Sequence, residues 1–426
     1  MLSSVTASTL FLYALGIFGL ALVIWLVLQF LKERRFRRLA YVAPGVRHWA
    51  NEQPDPSTLL KHRVAMVGDL GAVSTDGRDP VLGLLKNWLQ ESGAEATVVV
   101  LGDNVYPVGL PAEQSPGRAT AERRLQAQLD LLRAYPARAI FLSGNHDWNK
   151  GRRNGYEFLL RQEAYVREQL PTAHYLPPGG YPGPVSVQLA EGLLLVVLNT
   201  QWWVQNGPRP YGQAADGTPA DAKTPFRELH TLLAANSHQQ ILIAGHHPLY
   251  SNAVHGGKFT AKQHVFPLTA VHKKAYVPLP LLGSLFPVYR MLLGAAEDMA
   301  HPPYRQMRRC LLRVLRQFPG IIYAAGHDHN LQYFQRRGGH YLVSGAGSKT
   351  SFVQAGGRAT FVHEHKGFFS LDYYENGEVW LRALEPGTDL SQPPREAFRW
   401  RLTSARSASR AQDGVAAASA RAGSVD

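Results

Sequence analysis

One local pattern occurs five times in this chain, and it narrows the folds open to it. Met66-Val67-Gly68-Asp69, Val100-Leu101-Gly102-Asp103-Asn104, Leu142-Ser143-Gly144-Asn145-His146-Asp147, Ala244-Gly245-His246-His247 and Ala325-Gly326-His327-Asp328-His329 each pass from apolar residues through a glycine to oxygen or nitrogen donors. The apolar runs at 64–67, 97–101, 139–142, 193–198, 241–244 and 321–325 read as short strands buried on both faces. Between them Val81, Leu84, Leu85, Trp88 and Leu89 take helical spacing, and 156–170 and 226–235 read as helices as well. Strands alternating with helices predict a layered α/β architecture. Residues 341–344, 367–372 and 379–384 have few helices between them and are expected to be antiparallel strands of a second sheet.

Loops at the carboxyl ends of strands converge at one edge of a sheet, where open α/β folds place their sites. Each glycine is expected to let the backbone turn sharply and aim the next donor into the crevice. The five ends deliver Asp, Asp-Asn, Asn-His, His and His-His, more donors than one ion needs. At about four to six donors per ion, two ions sharing a carboxylate are implied. Two cations about 3.5–4 Å apart suit phosphoryl chemistry, since they neutralise phosphate oxygens and generate an in-line hydroxide. Histidines beyond the ions would donate a proton to the departing oxygen. The single cysteine, Cys310, excludes an intramolecular disulfide and any cysteine-based zinc site, and fits a reducing compartment.

The termini read differently. Residues 7–31 are almost uninterruptedly apolar and uncharged, long enough to span a bilayer, with no basic start and no small-residue cleavage site. The formal charge of +13 is concentrated at 32–38 and 305–316. The first cluster follows the span, so the positive-inside rule favours a cytoplasmic catalytic domain. The second reads as the solvated face of an amphipathic helix, and with no nucleic-acid motif in view no nucleic-acid partner is expected. The expected organisation is an anchor and basic flank at 1–38, a linker at 39–60 broken by Pro44, Pro54 and Pro56, a domain at 61–402, and a disordered Ala/Ser-rich tail at 403–426.

In their order and residues, Asp69-Leu70-Gly71, Gly102-Asp103-Asn104-Val105-Tyr106, Gly144-Asn145-His146-Asp147, Gly245-His246-His247-Pro248 and Gly326-His327-Asp328-His329-Asn330-Leu331-Gln332-Tyr333 resemble the calcineurin-like metallophosphoesterases, and within them the small, mammalian-type purple acid phosphatases. The resemblance covers roughly residues 60–385. It implies a four-layer α/β/β/α sandwich of two mixed sheets, preceded here by the transmembrane helix. It implies that Asp69, Asp103, Tyr106 and His329 surround a first metal, with Asp103 bridging, and that Asn145, His246 and His327 complete a second. His146 would contact the phosphate, and His255 would be a second outer histidine and candidate proton donor. Fe(III) is expected at the first site, because a hard trivalent ion can displace the proton of a phenol whose pKa is near 10, and Fe(II), Zn(II) or Mn(II) at the second. Against this, Tyr106 could simply pack its ring and hydrogen-bond its hydroxyl. His363 and His365 form a second His-x-His pair that reads as an exposed alternating strand.

The chain departs from that family in three places. Members of the mammalian type are usually secreted, whereas this chain reads as anchored. Leu70 and His247 stand where aromatic residues are usual. A long insertion at about 257–303 replaces a short connection. A long connection of this kind serves as a lid, a binding element or a docking surface. Here it is expected to lean on the bilayer or to line a site for an amphiphilic phosphate, against the alternative of an insertion that packs on the core. The expected activity is hydrolysis of phosphate monoesters, on a small-molecule or lipid-linked substrate, by in-line attack of metal-bound hydroxide. The alternatives are a phosphodiesterase or pyrophosphohydrolase on nucleotide or lipid-linked phosphates, and a catalytically silent membrane scaffold.

Overall fold

The computed structural model describes residues 7–36, 39–211, 221–270, 272, 274–279, 282–387 and 393–403. The expected tail, from Ser404 onward, lies outside the described residues, as do Arg37 and Arg38 of the basic flank.

Among the described residues the strands form two mixed sheets. One runs, in spatial order, β1 (Tyr41–Val42), β12 (Phe361–His363), β10 (Leu331–Arg336), β11 (Gly339–Ser344), β9 (Ile322–Ala325), β8 (Gln240–Ala244), β7 (Leu193–Val197) and β6 (Val185–Ala190). The other runs β15 (Arg395–Thr403), β14 (Val379–Glu385), β13 (Phe368–Tyr374), β2 (Leu60–Val67), β3 (Ala96–Val100), β4 (Arg138–Phe141) and β5 (His174–Tyr175). The parallel strands are contiguous in each sheet, β2 to β5 running out to one edge of the second and β11, β9, β8 and β7 forming the centre of the first.

Side-chain alternation along these strands explains the layering. On β2, Val64 and Met66 enter the core between the sheets, while Ala65 and Val67 face the helices α2 (Pro80–Ser92), α3 (Arg118–Arg133) and α4 (Gly155–Gln169). On β8, Leu242 and Ala244 face the same inter-sheet core, and Ile241 and Ile243 pack with α6 (Thr224–Ala235) and α9 (Pro302–Leu315). With both faces of each sheet covered, polar residues are tolerated mainly at strand ends, which is where the donors lie. Asp79 caps α2, accepting from the N–H groups of Val81 and Leu82 at 2.9 and 3.1 Å, with Pro80 at the first helical position; such a cap contributes about 1 kcal/mol.

Three sequence expectations are corrected. Residues 341–344 do not join 367–372 and 379–384 in one antiparallel sheet: β11 runs parallel to β9 in the first sheet, while β13 and β14 are antiparallel strands of the second. Tyr41–Val42 pairs with β12 and Trp49 packs on Phe398, because the prolines leave short apolar pieces free to add to the sheet edge and core. His363 is not on an exposed strand. It is buried, with Nδ1 bonded to the buried carboxylate of Glu385, which also holds Arg395.

Ahead of the domain, α1 (Ala7–Phe36) is the one helix among the described residues long and apolar enough to cross a membrane, and its span, 9–34, is unburied.

Candidate metal centre

Five loops meet where the two sheets share a carboxyl edge. β2, β3 and β4 of one sheet deliver Asp69, Asp103 and Asn145–His146, and β8 and β9 of the other deliver His246 and His327–His329. The backbone carries strain there. Asp69, Asp103 and His327 have φ of 62°, 53° and 72°, a left-handed conformation that costs a non-glycine residue on the order of 1–3 kcal/mol and persists only where surroundings over-determine it.

The glycines contribute in a way the sequence reading did not anticipate. Gly68, Gly144, Gly245 and Gly326 are absent from the positive-φ set, and of the five only Gly102, at 86°, uses the turn freedom. What the others supply is space. A Cβ on Gly144 would stand 2.2 Å from Asp103 Oδ1. At Asp69 and His327 the left-handed turn has moved one residue on, to the donor itself.

The first group of donors is oxygen-rich. The Tyr106 hydroxyl donates to Asp69 Oδ1 at 2.8 Å and lies 3.1 Å from Asp103 Oδ2 and 2.9 Å from His329 Nε2. Burial, then the Asp69 and Asp103 carboxylates, push the Tyr106 pKa well above 10. With no cation present the phenol therefore stays protonated, whereas a hard cation at the same point would reverse that balance. The set fits such an ion: two carboxylates, a phenol oxygen and an imidazole. Lys349 places its Nζ 3.3 Å from the centroid of the Tyr106 ring.

The second group is defined by where its protons go. His246 Nδ1 donates to the Leu101 carbonyl at 2.8 Å, so the neutral ring presents an Nε2 lone pair. His327 Nε2 donates to the Glu297 carbonyl at 2.8 Å, leaving the lone pair on Nδ1. Asn145 Nδ2 donates to Glu297 Oε1 at 3.0 Å, turning Oδ1 inward. The three acceptors converge: Asn145 Oδ1 is 3.0 Å from His246 Nε2 and 3.1 Å from His327 Nδ1, and the two ring nitrogens are 3.2 Å apart. Three lone pairs at hydrogen-bond distance need a proton or a cation among them. Burial, followed by His255, His247 and His246, lowers the His327 pKa well below 6.5, which favours the neutral, ligating form. For His246 burial acts downward, but the Asp103 and Asp69 carboxylates outweigh it and the pKa rises.

Asp103 connects the two groups. Its Oδ2 faces Tyr106 and its Oδ1 lies 3.5 Å from His246 Nε2, as a bridging carboxylate requires. Burial would raise its pKa, but His246 and His146 hold it down at about 2. Donor atoms of Asp69, Asp103 and His246 lie within 4.8 Å of one another. A cleft of 750 Å³ lined by His62, Glu95, Arg133, Arg138 and His174 sits at the opposite, amino-terminal ends of β3 to β5 and has no such convergence.

A family model for calcineurin-like phosphoesterases matches residues 62–275, half of the chain. The chain belongs to that family. Calcineurin-like phosphoesterases bind a dinuclear metal centre, and the two donor groups joined through Asp103 fit one. No curated protein matches the chain. Similar solved structures include GAP50, the anchor in the inner membrane complex of Plasmodium, at 15% identity and TM-score 0.44, covering 83% of this chain and 95% of that one. A purple acid phosphatase from yellow lupin (Lupinus luteus) seeds is 15% identical with TM-score 0.46, covering 82% of this chain and 55% of that one. PhoD is 12% identical with TM-score 0.44, covering 82% and 73%.

The two outer histidines border the candidate ligands. His146 Nδ1 donates to the Pro107 carbonyl at 2.6 Å, its Nε2 lies 3.8 Å from Asp103 Oδ2, and its ring meets Tyr106 edge-on. His255 packs its ring on His327 with centroids 4.3 Å apart and bonds Asp298 through Nδ1 at 3.0 Å. Burial lowers the His255 pKa, but the Asp298 bond and the Asp328 and Glu297 charges outweigh it, so the pKa is raised.

Sequence reasoning passed over several residues of this phosphoesterase centre. Asp147 accepts from the N–H groups of Gly144 and Asn104 and fastens two donor loops together, and Thr200 Oγ1 accepts from the N–H groups of His246 and His247. His247 is fully buried beside His246, His327 and Tyr304. Glu297 and Asp298 come from the insertion. The available signal was that they are the only acidic residues between 257 and 303.

Proposed function

We propose that this phosphoesterase is a membrane-anchored, dinuclear metal-dependent hydrolase of phosphate monoesters, with Asp69, Asp103, Tyr106 and His329 around the first ion and Asn145, His246 and His327 around the second. The observation that carries this reading is Asp103, whose two oxygens face the two donor groups at 3.1 and 3.5 Å. The phenol of Tyr106 among two carboxylates favours Fe(III) at the first position, and the Asn-His-His set suits Fe(II), Zn(II) or Mn(II) at the second. When bound, the ions supply Lewis acidity that acidifies water and offsets charge on the phosphoryl oxygens.

The chain's own groups do the rest. His146, fixed through Nδ1 by the Pro107 carbonyl, would donate Nε2–H as an imidazolium to a phosphoryl oxygen. His255, with Asp298 accepting from Nδ1, remains protonated over a wider range and presents Nε2–H to the departing alkoxide. Lys349 adds positive charge over the Tyr106 ring. α1 anchors the domain, and the basic residues after it favour the cytoplasmic side.

The test uses the full chain in detergent, loaded with iron and zinc, on p-nitrophenyl phosphate and bis(p-nitrophenyl) phosphate. The reading expects faster monoester turnover, lost in His146→Ala with the circular dichroism spectrum unchanged. A faster diester reaction would move the assignment to a phosphodiesterase. His146→Ala turnover equal to wild type would remove the role given to His146, and no turnover above background in the metal-loaded wild type would remove the enzyme reading.

A further inference from the structure

The candidate span ends against the insertion. The backbone N–H of Ala261, the first residue of α7 (Ala261–Val265), donates to Glu33 Oε1 near the carboxyl end of α1 at 2.7 Å. α7 in turn packs against α8 (Leu285–Leu292). The insertion therefore starts at the foot of the helix that would emerge from the bilayer.

α8 keeps apolar residues in solvent. Leu285, Leu292 and Leu293 are 64%, 67% and 63% exposed, and Val288, Tyr289 and Met291 are exposed beside them. Arg290 turns the other way, into Asp298, with the Phe259 and Phe286 rings against its guanidinium. The charge pattern matches an anionic surface: no acidic residue occurs between Gly256 and Ala296, while Lys258, Lys262, Lys273, Lys274 and Arg290 do. An apolar helix face with basic flanks lies in the plane of a membrane, about 5–10 Å into the boundary between headgroups and acyl chains.

We infer that α8 and its flanks are a second, peripheral membrane contact, seated on the bilayer that holds α1. This rests on the reading of α1 as a span. The contact at Glu33 holds the segment at membrane level, and its uniform positive charge opposes pairing with a second copy of itself. The seat adjoins the metal centre, because Arg290 binds Asp298 and Asp298 holds His255. The metal ligands then stand beside the headgroup layer of the leaflet.

The test places a bimane label on the full-length Leu292→Cys chain, with Cys310→Ser, in vesicles of phosphatidylcholine and phosphatidylserine with or without brominated acyl chains. Leu160→Cys on α4, exposed and outside the insertion, serves as the control. The expected result is loss of most bimane emission at 292 in brominated vesicles, and none at 160. Full emission at 292 in a chain that resists alkaline carbonate extraction overturns the seat and leaves the anchor intact. Release by carbonate overturns both. A label shielded equally in both kinds of vesicle, with crosslinking to a dimer, overturns the seat in favour of a second copy. None of these readouts depends on turnover, so they stand apart from failure of the hydrolase reading.

Discussion

The Asn145 side-chain amide donates to Glu297 Oε1 at 3.0 Å, across 152 residues of sequence, and the Glu297 carbonyl accepts from His327 Nε2 at 2.8 Å. One residue of the insertion thereby fixes the orientation of two candidate ligands, turning Asn145 Oδ1 and His327 Nδ1 toward the same point. Partners of this kind typically hold about 10- to 100-fold in metal affinity. Glu297→Ala is expected to weaken the second metal by roughly that factor while sparing the first, as competition with a graded series of chelators would show. Glu297→Gln keeps an acceptor oxygen and is expected to recover most of the loss. Equal affinity in wild type and Glu297→Ala would make the contact incidental.

Gly144→Ala tests the packing of the cradle. The added methyl would meet Asp103 Oδ1 at 2.2 Å, and Asp103 N and His246 Cε1 are also close, at 2.5 and 2.6 Å. None of these is the end of a flexible chain, so the Asp103 carboxylate has to move. The expected outcome is loss of both metals by elemental analysis, with the far-ultraviolet spectrum of the sandwich retained. Full metal content in the variant would show that the loop after β4 yields more easily than its contacts suggest.

The five strand ends were legible because burial forces their apolar runs to be short and continuous, and because a donor after each run has no structural need to recur. Tyr106, His146 and His255 follow Asp103, Asn145 and His246 by three, one and nine residues, and the roles expected of them came from the family resemblance rather than from spacing. Glu297 was not legible. It reaches the centre from an insertion with no regular period, through contacts made only when β4, β9 and the insertion meet. His363 was misread because an His-x-His on a three-residue strand carries no sign of its partner, Glu385, 22 residues away and buried. The sheet membership of β11 was likewise set by its parallel pairing with β9, a long-range contact that alternation cannot reveal.

Tyr106 offers a spectroscopic prediction. Its phenol is held protonated by burial and by two carboxylates, so ionisation requires a cation at the point shared with Asp69, Asp103 and His329. Iron-loaded protein is expected to show a broad visible charge-transfer band, absent in Tyr106→Phe and removed by reduction and chelation of the iron. A colourless protein with full iron content would make Tyr106 a packing residue and turn the assignment toward a phosphoesterase using divalent ions alone.

Asp298→Asn predicts a pH shift. Asp298 holds Nδ1 of His255 at 3.0 Å and is itself kept at about 2, since the bonds and charges of His255 and Arg290 outweigh the upward effect of burial. The raised His255 pKa means that its proton persists to higher pH than in a free imidazole. A proton donor must be charged to act, so turnover falls as pH rises through that pKa. Removing the Asp298 charge lowers the His255 pKa, and the alkaline limb of kcat is expected to move to lower pH. The acidic limb belongs to other groups and is expected to stay. A profile of kcat against pH for wild type, Asp298→Asn and His255→Asn separates the roles, since the last variant should lose the limb altogether. If Asp298→Asn lowers kcat equally at every pH, Asp298 supports the insertion's packing and does not set the charge on His255.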